Sequence, residues 1–549
     1  MSGFFDRHRP MLDAAEKAVS TRGFWTPFPE VPSGKIYGET ARDDGAAAFA
    51  ALCDSAFAMP GHPETGRLGQ EVSPFGPALG ITYPSADAAT LIAAAQAAAP
   101  ALAAASPEDR VGACLEALVR LNRMSFTMAN AVMHTTGQAF AMAFQAGGPH
   151  AQDRGLEAVA VAWAEMTRFA GSARWEKPQG KAAPIVLEKH WAIMPVGISL
   201  AIGCNTFPTW NSYSGMFASL ATGNPVIVKP HPAAILPLAL SVRVLREVFA
   251  EAGLPADAVL LAVDQAGAEI TCDLATNPAV RLIDYTGSGA FGDWLRANAT
   301  QAALFSEEAG VNTVTIAATD DFAGMCANLA FSLALYSGQM CTAPQNIYIP
   351  ASGIDTDQGP KGFDEVAAGI AGAIDALLSD PARAAGVCGA IANPATLGRV
   401  EAMRSVGRIV RDTAALPEGR SATPLLLAVD ENDPVSETEC FGPIAFLVPV
   451  ADADAGIARA AGLAEQKGAI TAALYDLDEA RIARAVRAFA GSGVNLSINL
   501  TGNIYVNQSA AFSDFHVTGA NPAGNASLTD TAFVAGRFRR VMWRRPVAA

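Results

Sequence analysis

The stretch Pro225-Val226-Ile227-Val228-Lys229, followed by the helical residues 236–252 and by Val259-Leu260-Leu261-Ala262-Val263, decides the fold. Both apolar runs are short and continuous, as in strands buried on both faces, and the segment between them is long enough for a crossover helix. The pattern extends in both directions. Residues 193–202 read as extended and 213–221 as helical, then 269–276 helical, 281–286 extended and 290–299 helical. Strands alternating with helices predict a parallel sheet covered on both faces, with its ligand crevice at the carboxyl ends of the strands.

Further along, residues 312–316, 444–450 and 469–474 read as extended and 322–336 and 363–378 as helical, which predicts a second α/β domain. Residues 1–80 read as an N-terminal arm without recognisable chemistry. Two helical stretches follow at 88–105 and 107–128, the second with Ser106 as its N-cap. The polar segment 177–189 contains Pro178, Gly180 and Pro184 and is expected to be a linker or a hairpin that reaches another subunit. Arg537, Arg539, Arg540, Arg544 and Arg545 read as a solvated terminus.

Composition narrows the function. A formal net charge of −15 argues against a nucleic-acid or acidic-membrane partner. The first residues carry Asp6, Arg7, His8, Arg9, Asp13 and Glu16 and lack the apolar core of a signal peptide. Eight cysteines and seven histidines are scattered without metal-binding or disulfide spacing, so no metal site is expected, and the expected compartment is a reducing cytoplasm.

One cysteine stands apart. Cys341 lies in Ser337-Gly338-Gln339-Met340-Cys341-Thr342-Ala343-Pro344-Gln345, after a buried helix and between residues that break helices. An exposed bend with free backbone N–H groups there would favour the thiolate, making Cys341 a candidate nucleophile. Other chemistry gathers at the ends of the predicted strands. Lys229 ends one of them, where a cation meets nucleotide oxygens. Thr286-Gly287-Ser288 turns into a helix that reaches Gly292, a geometry that offers N–H groups to a pyrophosphate. Glu307 and Glu308 form an acidic pair, and Glu439-Cys440-Phe441-Gly442-Pro443 a tight turn.

Taken together and in this order, these residues resemble the aldehyde dehydrogenase superfamily. Gly338-Gln339-Met340-Cys341 matches its nucleophile motif. Counting 34 positions back from Cys341, the family's distance to its general base, lands on Glu307 and not on Glu308. Thr206-Phe207-Pro208, Ala221-Thr222-Gly223-Asn224, Lys229, the Thr286 turn and the Glu439 turn fall at further family motifs. More narrowly, the Cys341 stretch, Gly147-Gly148-Pro149-His150 and Asn507-Gln508-Ser509 resemble the phenylacetic acid degradation protein PaaN group. Ending at Ala549, the chain is expected to lack the fused hydratase domain of some bifunctional relatives.

The resemblance implies a Rossmann-type NAD(P)-binding domain over 1–176 (with the arm) and 197–306, and a catalytic domain over 307–500. An oligomerisation hairpin and C-terminal arm would occupy 177–196 and 501–549, in a homodimer or homotetramer. It implies that Cys341 attacks an aldehyde to give a thiohemiacetal and then a thioester. Glu307, with its pKa raised by burial, would activate the hydrolytic water. Lys229, Thr286, Gly287, Ser288, Gly292, Glu439 and Phe441 would contact NADP or NAD. The family's oxyanion asparagine falls at Thr206, with Asn205 beside it, and either side chain could serve. Where many NAD-preferring relatives have a glutamate after the strand-end lysine, this chain has Pro232; with His231 as a phosphate donor, this implies that NADP is tolerated or preferred. The implied substrate is a semialdehyde from phenylacetate ring cleavage, free or as a CoA thioester. The competing readings are a CoA-acylating aldehyde dehydrogenase and a catalytically silent binding protein of the same fold.

Overall fold

The computed structural model describes residues 3–308 and 310–547. Its five-stranded sheet runs in the order Val259–Leu261, Val226–Lys229, Ile198–Ile202, Val280–Thr286, Ala303–Glu307, every pair parallel. Alternate side chains divide the core. Leu200, Ile227, Leu260 and Ile283 pack with Leu91, Ile92 and Ala95 of the helix Ala88–Ala104. Ala201, Val226, Val228 and Leu261 pack with Met216 and Phe217 of Pro208–Ala221 and Leu240 of Leu236–Glu251. Two apolar faces on each strand explain the continuous runs in the sequence. From Ile198–Ile202 the chain builds outward one way and then the other, so the strand order reverses there and a crevice opens at the carboxyl ends.

A seven-stranded sheet follows in the order Arg408–Arg411, Leu425–Ala428, Ile444–Val450, Asn346–Pro350, Thr313–Ile316, Thr471–Tyr475, Asn495–Ile498. Only its first pair is antiparallel. A third sheet joins the hairpin Ser172–Gln179 and Ala182–Pro195 to the C-terminal strand Phe538–Pro546. The polar segment near Lys177 is therefore the hairpin of the two readings offered by the sequence.

Three expectations change. The extended run 193–202 is two strands, broken at Gly197, whose φ is 146° and where a Cβ would lie 2.3 Å from the Arg281 side chain. Asn224 holds that break, its Oδ1 accepting from Val196 N and Gly197 N at 2.9 and 3.1 Å. The arginine-rich tail is not all solvated: Arg537 is fully buried and forms hydrogen bonds of 2.8 and 2.6 Å with the two Asp284 carboxylate oxygens. The N-terminal arm has a structural role that the sequence did not show. Buried Glu71 accepts from Ile235 N, Leu236 N and Tyr83 Oη, capping the helix Leu236–Glu251 from far away in sequence. Burial holds its carboxyl up at about 7 against those hydrogen bonds. Among the described residues no single helix is long and apolar enough to cross a membrane.

Candidate active site

The nucleophile turn is built from strained backbone with paired side chains. The helix Phe322–Ala334 is capped by Asp321, whose Oδ1 accepts from Gly324 N at 2.8 Å. After it, Tyr336, Ser337 and Gly338 all adopt left-handed φ, at 50°, 49° and 63°. For the two non-glycine residues this conformation costs about 1–3 kcal/mol each, and specific contacts hold it. Tyr336 Oη donates to Thr136 O at 2.5 Å, and Ser337 Oγ lies 3.1 and 2.9 Å from Cys388 O and Ala422 O. Gln339 donates to Tyr336 O and Ala390 O and accepts from Ala392 N. At Gly338 a Cβ would sit 2.4 Å from Gly442 O, so the motif glycine lets the Glu439–Pro443 turn close over the nucleophile turn. Gln345 ties the same two turns, accepting from Cys440 N at 2.6 Å and donating to Thr438 O at 3.0 Å.

Asn312 pins the far side. Its Nδ2 donates to Cys341 O at 2.8 Å and Ala343 O at 3.0 Å. Its Oδ1 accepts from Ile470 N and Thr471 N at 2.9 and 3.0 Å. All four hydrogen-bonding positions of the amide are used.

The expected exposed bend is a buried one. Tyr336, Ser337 and Gly338 are fully enclosed and Cys341 is half-buried. The thiol is held against ionisation. Burial, then the Glu307 carboxylate, with smaller contributions from Cys204 and Glu439, push it well above the ordinary thiol value.

Glu307 ends the strand Ala303–Glu307 and faces Cys341, while Glu308 turns away to Arg296, at 2.5 and 3.0 Å. Glu307 Oε2 accepts from Asn211 Nδ2 at 3.0 Å, and Oε1 lies 3.0 Å from His516 Nε2, which is itself 3.5 Å from Cys341 Sγ. The expected rise in the Glu307 pKa does not occur. Burial raises it, but the His516 charge and hydrogen bonds from His516, Cys341 and Asn211 outweigh burial and hold it below the usual carboxylate value. Glu307, Cys341 and His516 present donor atoms within 4.8 Å of one another, so the expectation of no metal site meets one chemically capable cluster, at the nucleophile itself.

Most of the remaining predicted residues have their own local partners. Asn205 and Thr206 follow the strand Ile198–Ile202. Asn205 Oδ1 is buried without a partner. Thr206 Oγ1 turns to Cys204 Sγ at 3.9 Å, and Thr206 O accepts from Gln138 Nε2 at 2.8 Å. Lys229 Nζ lies at a strand end, 2.7 Å from Asp264 Oδ1 and 2.8 Å from Pro230 O. His231 Nδ1 accepts from Ala233 N at 3.2 Å, which places the proton of the neutral ring on Nε2. Ser288 caps the helix Gly289–Asn298, accepting from Phe291 N, and Gly287 N donates to Glu307 O at 3.1 Å. At Gly292 a Cβ would meet the Glu308 carboxylate at 2.3 Å. Glu439 accepts from the Gly310 N–H, and burial raises its pKa to about 7. Phe441 O accepts from Arg399 Nη1 at 2.6 Å.

Residues 79–524 match the sequence profile described as the aldehyde dehydrogenase family, well over half of the chain. The chain belongs to the aldehyde dehydrogenase family. It is similar to an NAD-dependent aldehyde dehydrogenase from Burkholderia multivorans, with 50% identity and a TM-score of 0.97 covering 100% of this chain and 99% of that one. A 1-pyrroline-5-carboxylate dehydrogenase from Bacillus subtilis (strain 168) is 26% identical over 373 residues, 65% of this chain and 66% of that protein, just under two thirds of its length. The fold is shared with NADP-dependent glyceraldehyde-3-phosphate dehydrogenase from Bacillus halodurans C-125, at 18% identity and a TM-score of 0.66 over 88% of this chain and 96% of that one.

The residues of this aldehyde dehydrogenase fit a dinucleotide. At the carboxyl edge of the parallel sheet lie a lysine, the Ser288-capped N-terminus of the helix Gly289–Asn298 and the unpartnered Asn205 oxygen. Three side chains at the centre carried no sequence signal: Asn211, His516 and Asn312. Asn211 and His516 reach Glu307 from 96 and 209 residues away, and Asn312 read only as the start of a strand. Replacing Asn312 with aspartate keeps its shape but removes two donors and sets a carboxylate against two carbonyls. Asn312→Asp is expected to lose about 2–5 kcal/mol of stability, read as a lowered urea midpoint; an unchanged midpoint would show that the amide is not the clamp.

Proposed function

We propose that this chain oxidises an aldehyde to a carboxylic acid through a covalent Cys341 adduct, in the presence of NAD or NADP. The observation that carries the reading is the convergence of Cys341 Sγ, the Glu307 carboxylate and His516 Nε2 within 4.8 Å of one another, with Glu307 at the end of a strand of the five-stranded sheet. Cys341 Sγ adds to the carbonyl carbon as its proton passes to Glu307. The new oxyanion is held by the Asn205 amide and the Cys341 N–H. Asn205 is favoured over Thr206 because no hydrogen bond engages its Nδ2 donor among the described residues, whereas the Thr206 hydroxyl is turned toward Cys204. When bound, the nicotinamide supplies the hydride acceptor. Once Glu307 has released the thiol proton to solvent, the carboxylate takes a proton from the water that cleaves the thioester, with the Cys341 thiolate as leaving group, which favours water over CoA as the acyl acceptor.

Cys341→Ser is expected to abolish NAD(P)H formation. Glu307→Gln is expected to keep a single-turnover burst while steady-state turnover falls about 100-fold or more, with the acyl-enzyme visible by mass spectrometry. Full activity in Cys341→Ser would refute the assignment.

For the substrate we propose a semialdehyde from ring cleavage of phenylacetate, free or as a CoA thioester. The support is the likeness of 147–150 and 507–509 to the PaaN group. Both segments brace the site, Gly147 O accepting from Thr209 Oγ1 at 2.9 Å and Asn507 O from Thr342 Oγ1 at 3.0 Å. NADP is accepted at least as well as NAD, because Pro232 leaves no carboxylate to repel a 2′-phosphate and His231 Nε2–H can donate to it. Purified enzyme assayed with both cofactors against free and CoA-linked semialdehydes checks both proposals. The expected result is highest kcat/KM on a ring-cleavage semialdehyde and an NAD/NADP ratio near or below one.

On one side of the three-stranded sheet Met194, Val541 and Trp543 are exposed at 40–54%, an apolar face suited to a second copy of the chain. A homodimer or homotetramer in the cytoplasm, where the Cys341 thiol stays reduced, follows from this reading. Light scattering is expected to give twice or four times 56.7 kDa, and cell fractionation checks the compartment.

A further inference from the structure

His516 lies in the long segment between the strand Asn495–Ile498 and the helix Thr531–Ala535, where no sequence motif singles it out. Its side chain is almost fully buried. Trp210 of the helix Pro208–Ala221 packs edge-on to the imidazole, with ring centroids 4.5 Å apart at 77°. Asn495 Nδ2 donates to the preceding carbonyl, Phe515 O, at 3.1 Å. The following residue, Val517, packs with Ile470, Ala523 and Cys341. The ring is therefore fixed from three elements, and Nε2 faces Glu307 Oε1 at 3.0 Å and Cys341 Sγ at 3.5 Å.

That arrangement answers a difficulty in the proposed reaction. For Cys341 to attack, negative charge must develop on a half-buried sulfur that already faces a carboxylate. Asn211 Nδ2 reaches only the other carboxylate oxygen. Cys204 and Glu439 also act on the thiol, and both disfavour its anion. Arg154 reaches the Trp210 ring at 5.2 Å, but it is committed to Glu157, Ser509 and Asp514 O. Among the described residues no lysine or arginine hydrogen-bonds to Glu307 or Cys341. The donor within reach of both the carboxylate and the sulfur is His516.

We propose that His516 is a catalytic residue whose single Nε2–H follows the negative charge between Glu307 and Cys341. In the resting site it donates to the Glu307 carboxylate. As Cys341 is activated, the Sγ–H bond breaks and an O–H bond forms on Glu307. The charge moves from carboxylate to sulfur, and the Nε2–H bond shifts from Oε1 to Sγ. No oxidant or co-reactant takes part, and His516 keeps its proton throughout. The role rests on the reading of Cys341 as nucleophile and adds a third group to it.

The test follows Cys341 itself rather than turnover, so it stands apart from the success or failure of the aldehyde reading. Iodoacetamide modification of Cys341 in the full-length protein, with a chelator present, is followed by mass spectrometry from about pH 6 to about pH 10. In His516→Phe the rate at neutral pH is expected to fall about tenfold and the midpoint to rise by about one unit. His516→Gln, which keeps an N–H donor, is expected to recover most of the rate. An unchanged midpoint in His516→Phe overturns the proposal. Should that variant not fold, Glu307→Gln decides instead. With the opposing charge gone and His516 intact, its midpoint is expected below that of the unmodified protein, and adding His516→Leu, which removes the donor, is expected to raise it again. Equal midpoints in the single and double variants overturn the proposal.

Discussion

The site depends on one buried carboxamide. Asn312 begins the first strand of the seven-stranded sheet, just after the chain has left Glu307 on the five-stranded one. Through its side chain it holds the carbonyls of the nucleophile turn and the start of the strand Thr471–Tyr475 at once. The two sheets can bring a carboxylate and a thiol together only if the short connection between them is held in one conformation. A buried amide with every donor and acceptor paired does so with little room for displacement, since each unmade bond would cost a full desolvation penalty.

The nucleophile turn shows the same economy. Left-handed backbone at Tyr336 and Ser337 is unfavourable alone, and it persists because both hydroxyls and the Gln339 amide find carbonyl partners from 136, 388, 390 and 422. The turn is thus specified by neighbours distant in sequence. Its rigidity places Cys341 between a carboxylate that opposes its ionisation and a histidine that stabilises it. A nucleophile held mostly protonated at rest is shielded from stray oxidation and becomes anionic only as its proton finds Glu307.

Much of this was legible in the chain. The strands Val226–Lys229, Val280–Thr286 and Ile444–Val450 were visible because strands covered on both faces are continuous apolar runs bounded by turn residues. The family's spacing from Cys341 singled out Glu307, which the fold brings to the thiol, from Glu308, which pairs with Arg296. The break at Gly197 was not legible, since its cause is the Arg281 side chain of a neighbouring strand and the distant Asn224 amide. Nor was Glu71, a lone acid in an irregular arm that becomes a helix cap only when the arm folds over residue 235.

The sequence by itself determined the parallel α/β architecture, the family, and the pairing of Cys341 with Glu307, because periodicity and motif spacing are properties of the chain taken in order. Only the tertiary structure decided the electrostatics of that pair. Burial pushes the thiol up, whereas hydrogen bonds pull the carboxyl down despite its burial, the reverse of what a lone buried glutamate would do. The carboxyl is pulled down by His516, Cys341 and Asn211, and of these Asn211 and His516 are brought to Glu307 across 96 and 209 residues of chain by packing that no local pattern encodes.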